Sequence, residues 1–279
     1  MTTATASTTQ PAPKAPSRAR PAAGPMIATY VRIELIRQLR QVSNLVFMVG
    51  LPLMLFLIFG AMQEYSTVEL PNGNGNISGS IMISFAAYGA ITATAGLAGS
   101  AAIELQQGWG RQLGITPFRG GHFIVAKTIV ALVLALLPIA AIYAAGALTT
   151  ARLDGWVWLA TGALVLIPAI VFALYGLAIG TLFRSETAVG AASGMIVIFM
   201  FLGNAFVPLS GFLLDFAPFT PVWGVMQLAL WPLQEGVSVG SDGSLMEYAL
   251  WQPVANVAVW AVIFGVLAVL GSRRGTDRR

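Results

Sequence analysis

From residue 155 to residue 183 the chain reads GWVWLATGALVLIPAIVFALYGLAIGTLF, and no side chain in it carries a charge. A helix needs about 20 apolar residues to cross a bilayer, so this stretch can span one alone. Asp154 and Arg184 bracket it. Other charge-free runs of comparable length extend from Gln41 to Gln63, Leu70 to Ile103, Thr128 to Ala151, Thr187 to Leu214 and Tyr248 to Ser272. Their apolar cores, with that of the quoted stretch, predict spans at 45–62, 80–103, 124–148, 157–182, 187–207 and 252–271. The whole composition agrees: 57% of the 279 residues are hydrophobic and 9% are charged. A soluble domain carries about 25% charged residues. An ordinary soluble enzyme and a disordered regulator are both excluded.

A further charge-free gap, 216–234, contains Pro218, Pro221 and Pro232. Proline removes a backbone donor and bends helices. The segment 209–234 is therefore expected to be a re-entrant helical element on the outer side, dipping in without crossing. Such backbone is tolerated only where protein or water satisfies it.

Orientation follows from the basic residues. With six spans, both termini and the loops at 104–123 and 183–187 share one side. That side holds every Lys and Arg except Arg152, while seven acids from Glu64 to Glu247 lie opposite. Lys and Arg concentrate on the cytoplasmic side, which puts both termini there, in a cell (plasma or inner) membrane. The net charge of +4 then records orientation, and nucleic-acid binding has no part in the account.

Residues 1–25 are rich in Thr, Ala, Ser and Pro and are expected to form a disordered cytoplasmic tail. Residues 26–272 form the transmembrane domain, and 273–279 a short basic cytoplasmic tail. Between them, Ile27, Val31, Leu35, Leu39 and Val42 recur at helical spacing, with Arg37, Arg40 and Gln41 on another face. An N-terminal helix lying in the membrane interface is expected there; a cytoplasmic extension of the first span is the alternative.

The energy source is narrowed by what the spans lack. Proton-coupled transport needs buried carboxylates or histidines, and the predicted cores hold only Tyr88, Tyr143 and Tyr175 as ionisable groups. Lys127, at the edge of the third span, is expected to snorkel outward. There is no Cys and one His, His122, so thiolate sites, metal clusters and His-based catalysis are absent from the sequence. The segment Gly121 to Thr128 approaches a phosphate-loop pattern, but Ala126 replaces the second glycine and the segment runs into a span. ATP-driven work would need a second polypeptide.

The loop after the second span reads Glu104-Leu-Gln-Gln-Gly108-Trp-Gly-Arg111-Gln112-Leu113-Gly-Ile-Thr116-Pro117. It resembles a segment of ABC-2 type permeases in which an acid, a glycine four residues on, Gln-Leu and Thr-Pro recur at these offsets. Arg111 departs from that pattern, since such permeases often carry an acid there. Leu51-Pro52-Leu53, Phe59-Gly60 and the run Gly203, Pro208, Gly211, Pro218, Pro221 are similar to other parts of the same family, extending the likeness over residues 27 to 271. Among its subgroups the chain is most similar in style to small drug- and antibiotic-resistance permeases of the daunorubicin-exporter kind.

The resemblance implies an all-α membrane protein with six transmembrane helices, an N-terminal interfacial helix, a cytoplasmic coupling helix and an outer re-entrant element before the last span. It implies a non-catalytic permease that exports a hydrophobic or amphipathic substrate. Two copies of an ABC ATPase would carry ATP and Mg, this chain binding no cofactor, and a second permease copy would pair with this one, as a homodimer in preference to a heterodimer. The ATPase-coupling residues would be Glu104, Gly108, Arg111, Gln112, Leu113, Thr116 and Pro117. Phe85, Tyr88, Met195, Phe199, Asn204 and Phe206 are candidates for the substrate path; Asn204 and Asn256 are read first as helix-to-helix hydrogen-bonding groups and only second as substrate contacts. A membrane sensor or assembly module sharing the ATPase, and an ion-independent facilitator, remain as alternative readings.

Overall fold

A computed structural model describes residues 23–71, 74–109, 116, 118 and 120–276. The tail before residue 23, the coupling candidates Arg111, Gln112, Leu113 and Pro117, and residues 277–279 lie outside the described residues.

Helices dominate. The segment expected to lie in the interface forms helix α1, Ala23–Leu39. The long apolar helices are α2 (Val42–Ala61), α3 (Ile77–Glu104), α4 (Gly120–Leu148), α5 (Gly155–Phe183) and α9 (Trp251–Thr276). All five have the length and apolarity to cross a membrane. Each predicted boundary falls within a few residues of its helix, because charges and turn residues mark both. α9 runs to Thr276, so the start of the expected 273–279 tail is helical.

The stretch at 187–207 forms a shorter helix, α6, Glu186–Leu202. Its 17 residues rise about 26 Å, just under a hydrocarbon core of about 30 Å. It stops early because Gly203 packs against Val222 and Asn204 takes a left-handed backbone, φ 57°. Asn tolerates that region better than most side chains. Here the Leu209 N–H donates to its Oδ1 at 2.7 Å, and its Nδ2 donates to Ser238 Oγ at 3.1 Å.

The proline-rich segment is two short helices meeting at 88°. α7, Gly211–Phe216, continues as a 3-10 turn through Phe219, and α8 covers Pro221–Gln234. Thr220 caps α8, its Oγ1 accepting from the Trp223 N–H. The elbow exposes carbonyls that a continuous helix would satisfy. Asn256 on α9 supplies the missing donor, its Nδ2 reaching Pro218 O at 2.7 Å and Thr220 O at 3.1 Å. The amides of Asn204 and Asn256 thus join separate parts of the chain. A two-stranded hairpin, β1 (Val237–Val239) with β2 (Leu245–Glu247), follows α8. The all-α expectation omits it.

α3 is the axis of the molecule. It packs on α4, α5 and α6, and most of its side chains are buried. The α3–α5 contact is backbone-close: a Cβ at Gly176 would strike the Ala95 carbonyl, and one at Gly180 the Gly99 carbonyl. Small residues at four-residue spacing allow this approach. Thr94 Oγ1 adds a bond across it to Ala169 O at 2.8 Å. Gly190 and Gly194 on α6 have the same spacing but meet nothing within 4 Å, so this second pair makes no close helix contact inside the chain. Overpacking costs roughly 1–3 kcal/mol, at times more. Gly180→Leu is therefore expected to lower the melting temperature of the detergent-solubilised protein sharply, and Gly190→Ala to leave it at the parental value. Equal melting of both variants would contradict the close α3–α5 contact.

Candidate functional site

Two features stand out at the end of the molecule that carries the basic residues: a ring of charges and a cleft beside it.

The ring begins on α1. Its inward face is Ile27, Tyr30, Val31, Glu34, Leu35 and Gln38, at spacings of three and four. Leu39 and Val42 point outward, and Ile33 is 63% exposed. The expected apolar face is thus correct in its first half and rotated in its second. Val31 and Leu35 pack with Met48, Val130 and Leu134. Glu34 sits among them, 4% exposed. Its Oε1 accepts from Arg37 Nη2 at 2.6 Å and from Lys127 Nζ at 2.8 Å. Glu104 closes the circuit, with Oε1 2.7 Å from Arg37 and Oε2 2.8 Å from Lys127. Two carboxylates and two cations alternate, and their charges cancel. Buried charges persist only when paired in this way.

Lys127 is correspondingly 6% exposed. The expectation that it snorkels outward is corrected: internal carboxylates hold it in place. Burial pushes the Glu34 carboxyl up, but the bond and charge of Lys127, with Gln38 and Arg37, outweigh this and leave it below the ordinary carboxylate value. Tyr30 stacks on Phe118 at 5.2 Å and meets Phe123 edge-on at 5.8 Å. Burial, then the charges of Glu34 and Glu104, push its hydroxyl far above the usual tyrosine range.

The cleft, about 800 Å³, lies between α1, α2, α3 and α6. Arg37, Gln38, Gln41, Asn44, Glu104 and Glu186 form its polar rim. Met48, Leu51, Leu97, Val197 and Phe47 make its deeper walls apolar. Two helical stripes define it. One on α3 runs from Glu104 through Ser100, Leu97, Gly96 and Ala93 to Thr92 and Tyr88; the other on α6 runs from Glu186 through Gly190 and Gly194 to Val197. At 1.5 Å per residue the α3 stripe extends about 24 Å. Small side chains on both stripes leave the volume open.

Of the predicted path residues, only Tyr88 lines this cleft. Phe85 and Phe206 stack at 4.8 Å, with Tyr88 edge-on to Phe206 at 5.3 Å. Together they clamp the turn after α6 into the core. Phe199 packs on Tyr175 at 6.1 Å, and Asn204 fastens the same turn. Met195 is exposed, because one residue of helix turns it about 100° from Gly194. The other five candidates thus lie away from the cleft.

Among the coupling candidates, Glu104 belongs to the ring. Gly108 has φ 100°, a conformation L side chains rarely adopt, in the last turn before the loop. Thr116 Oγ1 accepts from the Phe118 N–H at 3.2 Å. Residues 121–128, the near phosphate-loop, lie within α4 and form no loop.

Sequence reasoning missed Glu34, Arg37 and Glu186 as site residues. For Glu34 the signal was present: an acid on the basic side, three residues from Val31 and seven from Ile27. No protein-family model matches the chain, and no curated protein matches it significantly.

Proposed function

We propose that the chain is the membrane subunit of an ATP-driven exporter, an ABC-2 type permease with six spans and cytoplasmic termini. It would work as a pair, with two copies of a separate ATPase, and expel hydrophobic or amphipathic compounds. One observation carries this reading: α3 both walls the cleft and leads directly into the segment 104–117. A partner gripping that segment would move the cleft wall itself. The ring ties α1 to the same point through Glu104. ATP-driven closure of the ATPases would then shift α1 and α3 together, a rigid-body device, and reshape the cleft. Its gradient from polar rim to apolar depth matches an amphipathic guest.

The test is reconstitution with the cognate ATPase. Amphipathic compounds are expected to stimulate ATP hydrolysis and to leave the cytoplasmic side. Gly194→Trp fills open space, so it should retain ATPase copurification but lose transport. If Gly190→Trp and Gly194→Trp both transport at the parental rate, the path lies elsewhere. An ATPase that never copurifies would favour a facilitator, and binding without substrate-stimulated hydrolysis a sensor.

Topology is checked separately, and the absence of native Cys makes the assay clean. Cysteine at Ser241 in the hairpin turn is expected to react with an impermeant maleimide from outside, and cysteine at Thr276 only after permeabilisation. Labelling of both from one side would break the six-span arrangement.

A further inference from the structure

From the charges around the cleft we infer that it selects amphiphiles bearing a positive charge, with Glu186 as the residue that recognises it. This rests on the cleft being the export path and specifies what the path accepts. Three charged side chains line the cleft: Arg37, Glu104 and Glu186. Arg37 and Glu104 belong to the ring, where two acids and two bases cancel within 2.8 Å contacts. A guest anion would have to compete with Glu34 and Glu104 for Arg37.

Glu186 is different. Among the described residues it forms no ion pair, and Arg184, two residues earlier, does not bridge to it. Its hydrogen bond is to a neutral group: Ser100 Oγ donates to its Oε2 at 3.1 Å across the rim. Its position in the first turn of α6 suits the helix dipole, but the dipole leaves the carboxylate facing the rim. Below it, Gly190 and Gly194 hold the α6 wall open, with nothing within 4 Å of either added Cβ. Val197, eleven residues on, lies about 16 Å deeper. A guest with a cationic head and an apolar body can therefore place the head at Glu186 and the body along the α6 stripe. Glu186 is exposed at the rim, so water screens its pull on such a head, and that pull adds to the apolar contact along the stripe.

Two ions of nearly equal size and shape test the sign of the charge. Tetraphenylphosphonium and tetraphenylborate are titrated onto the full chain in nanodiscs, and binding to Gly194→Trp is subtracted to remove partition into lipid. The parent should bind the phosphonium about tenfold more tightly than the borate. Glu186→Asp should keep that preference, Glu186→Gln should erase it and Glu186→Lys should reverse it, all with parental melting temperatures. Equal binding of both ions by the parent, or a preference unchanged in Glu186→Gln, would overturn the assignment while leaving the cleft as a binding site. Absence of binding above the Gly194→Trp baseline for either ion would remove the cleft as a site, and the export-path reading with it.

Discussion

Lys127→Ala is expected to be among the most destabilising single substitutions in the chain. It deletes the cation shared by Glu34 and Glu104, both within 2.8 Å. Two carboxylates are then left to one arginine at a site where Lys127 and Glu34 are almost fully buried. Removing one partner of a buried pair costs roughly 3–5 kcal/mol, mostly through the charge left behind. A double change that removes charge from both sides should do far less harm. Glu34→Gln with Lys127→Gln keeps a neutral hydrogen bond and leaves Glu104 with Arg37, so most of the loss should return. Thermal melting of the single and double variants in detergent measures this coupling. If Lys127→Ala melts with the parent, the ring contributes nothing to holding α1. Acid provides a second reading. The folded state holds the Glu34 carboxyl below its ordinary value of 4.5, so its contribution is complete above that value and declines as the pH falls through the folded one. Proteolysis within α1 should accelerate there in the parent, and much less in the double variant.

The ring shows where sequence reading stops. Charge gaps located the spans because a bilayer penalises every charge it buries, whatever its neighbours. The run 155–183 became a helix with those ends for that reason. The same logic treats Lys127 alone and sends it toward water, since its partner Glu34 lies 93 residues away. Spacing has the same blindness. Gly176/Gly180 and Gly190/Gly194 are identical as patterns, yet the first pair presses on α3 and the second opens on the cleft. A four-residue interval puts two glycines on one face and says nothing of what that face meets. The early stop of α6 depends on Asn204 in a left-handed conformation, which composition cannot foresee. The bent pair at 211–234 was legible because Pro218 and Pro221 fall together at the elbow and favour a break there, although Pro232 and, in α4, Pro138 sit inside helices.

If an ATPase docks at segment 104–117 as proposed, Gly108→Val is expected to uncouple the chain from it while leaving the long apolar helices folded. Gly108 occupies φ 100° where α3 gives way to the loop, and a β-branched side chain there must abandon that conformation or bear its strain. Left-handed backbone costs an ordinary L residue about 1–2 kcal/mol. Nothing lies within 4 Å of an added Cβ, so the effect is on chain direction and not on packing. Gln106, two residues earlier, still anchors the turn to α5 through Thr181 O at 3.3 Å. The redirected segment would present Leu113 wrongly to a partner groove. Leu113→Asp tests the same docking by a separate route, placing a charge where an apolar anchor is expected. Losing an anchor worth about 2 kcal/mol weakens binding roughly 30-fold. Copurification of the ATPase should therefore fall steeply in both variants, with melting temperatures near the parent's. Gly108→Asn should retain more of it, because Asn enters left-handed backbone more readily than Val. Parental copurification by Gly108→Val and Leu113→Asp alike would take the docking site out of segment 104–117. Failure of Leu113→Asp alone would keep the site but free it from the geometry at Gly108.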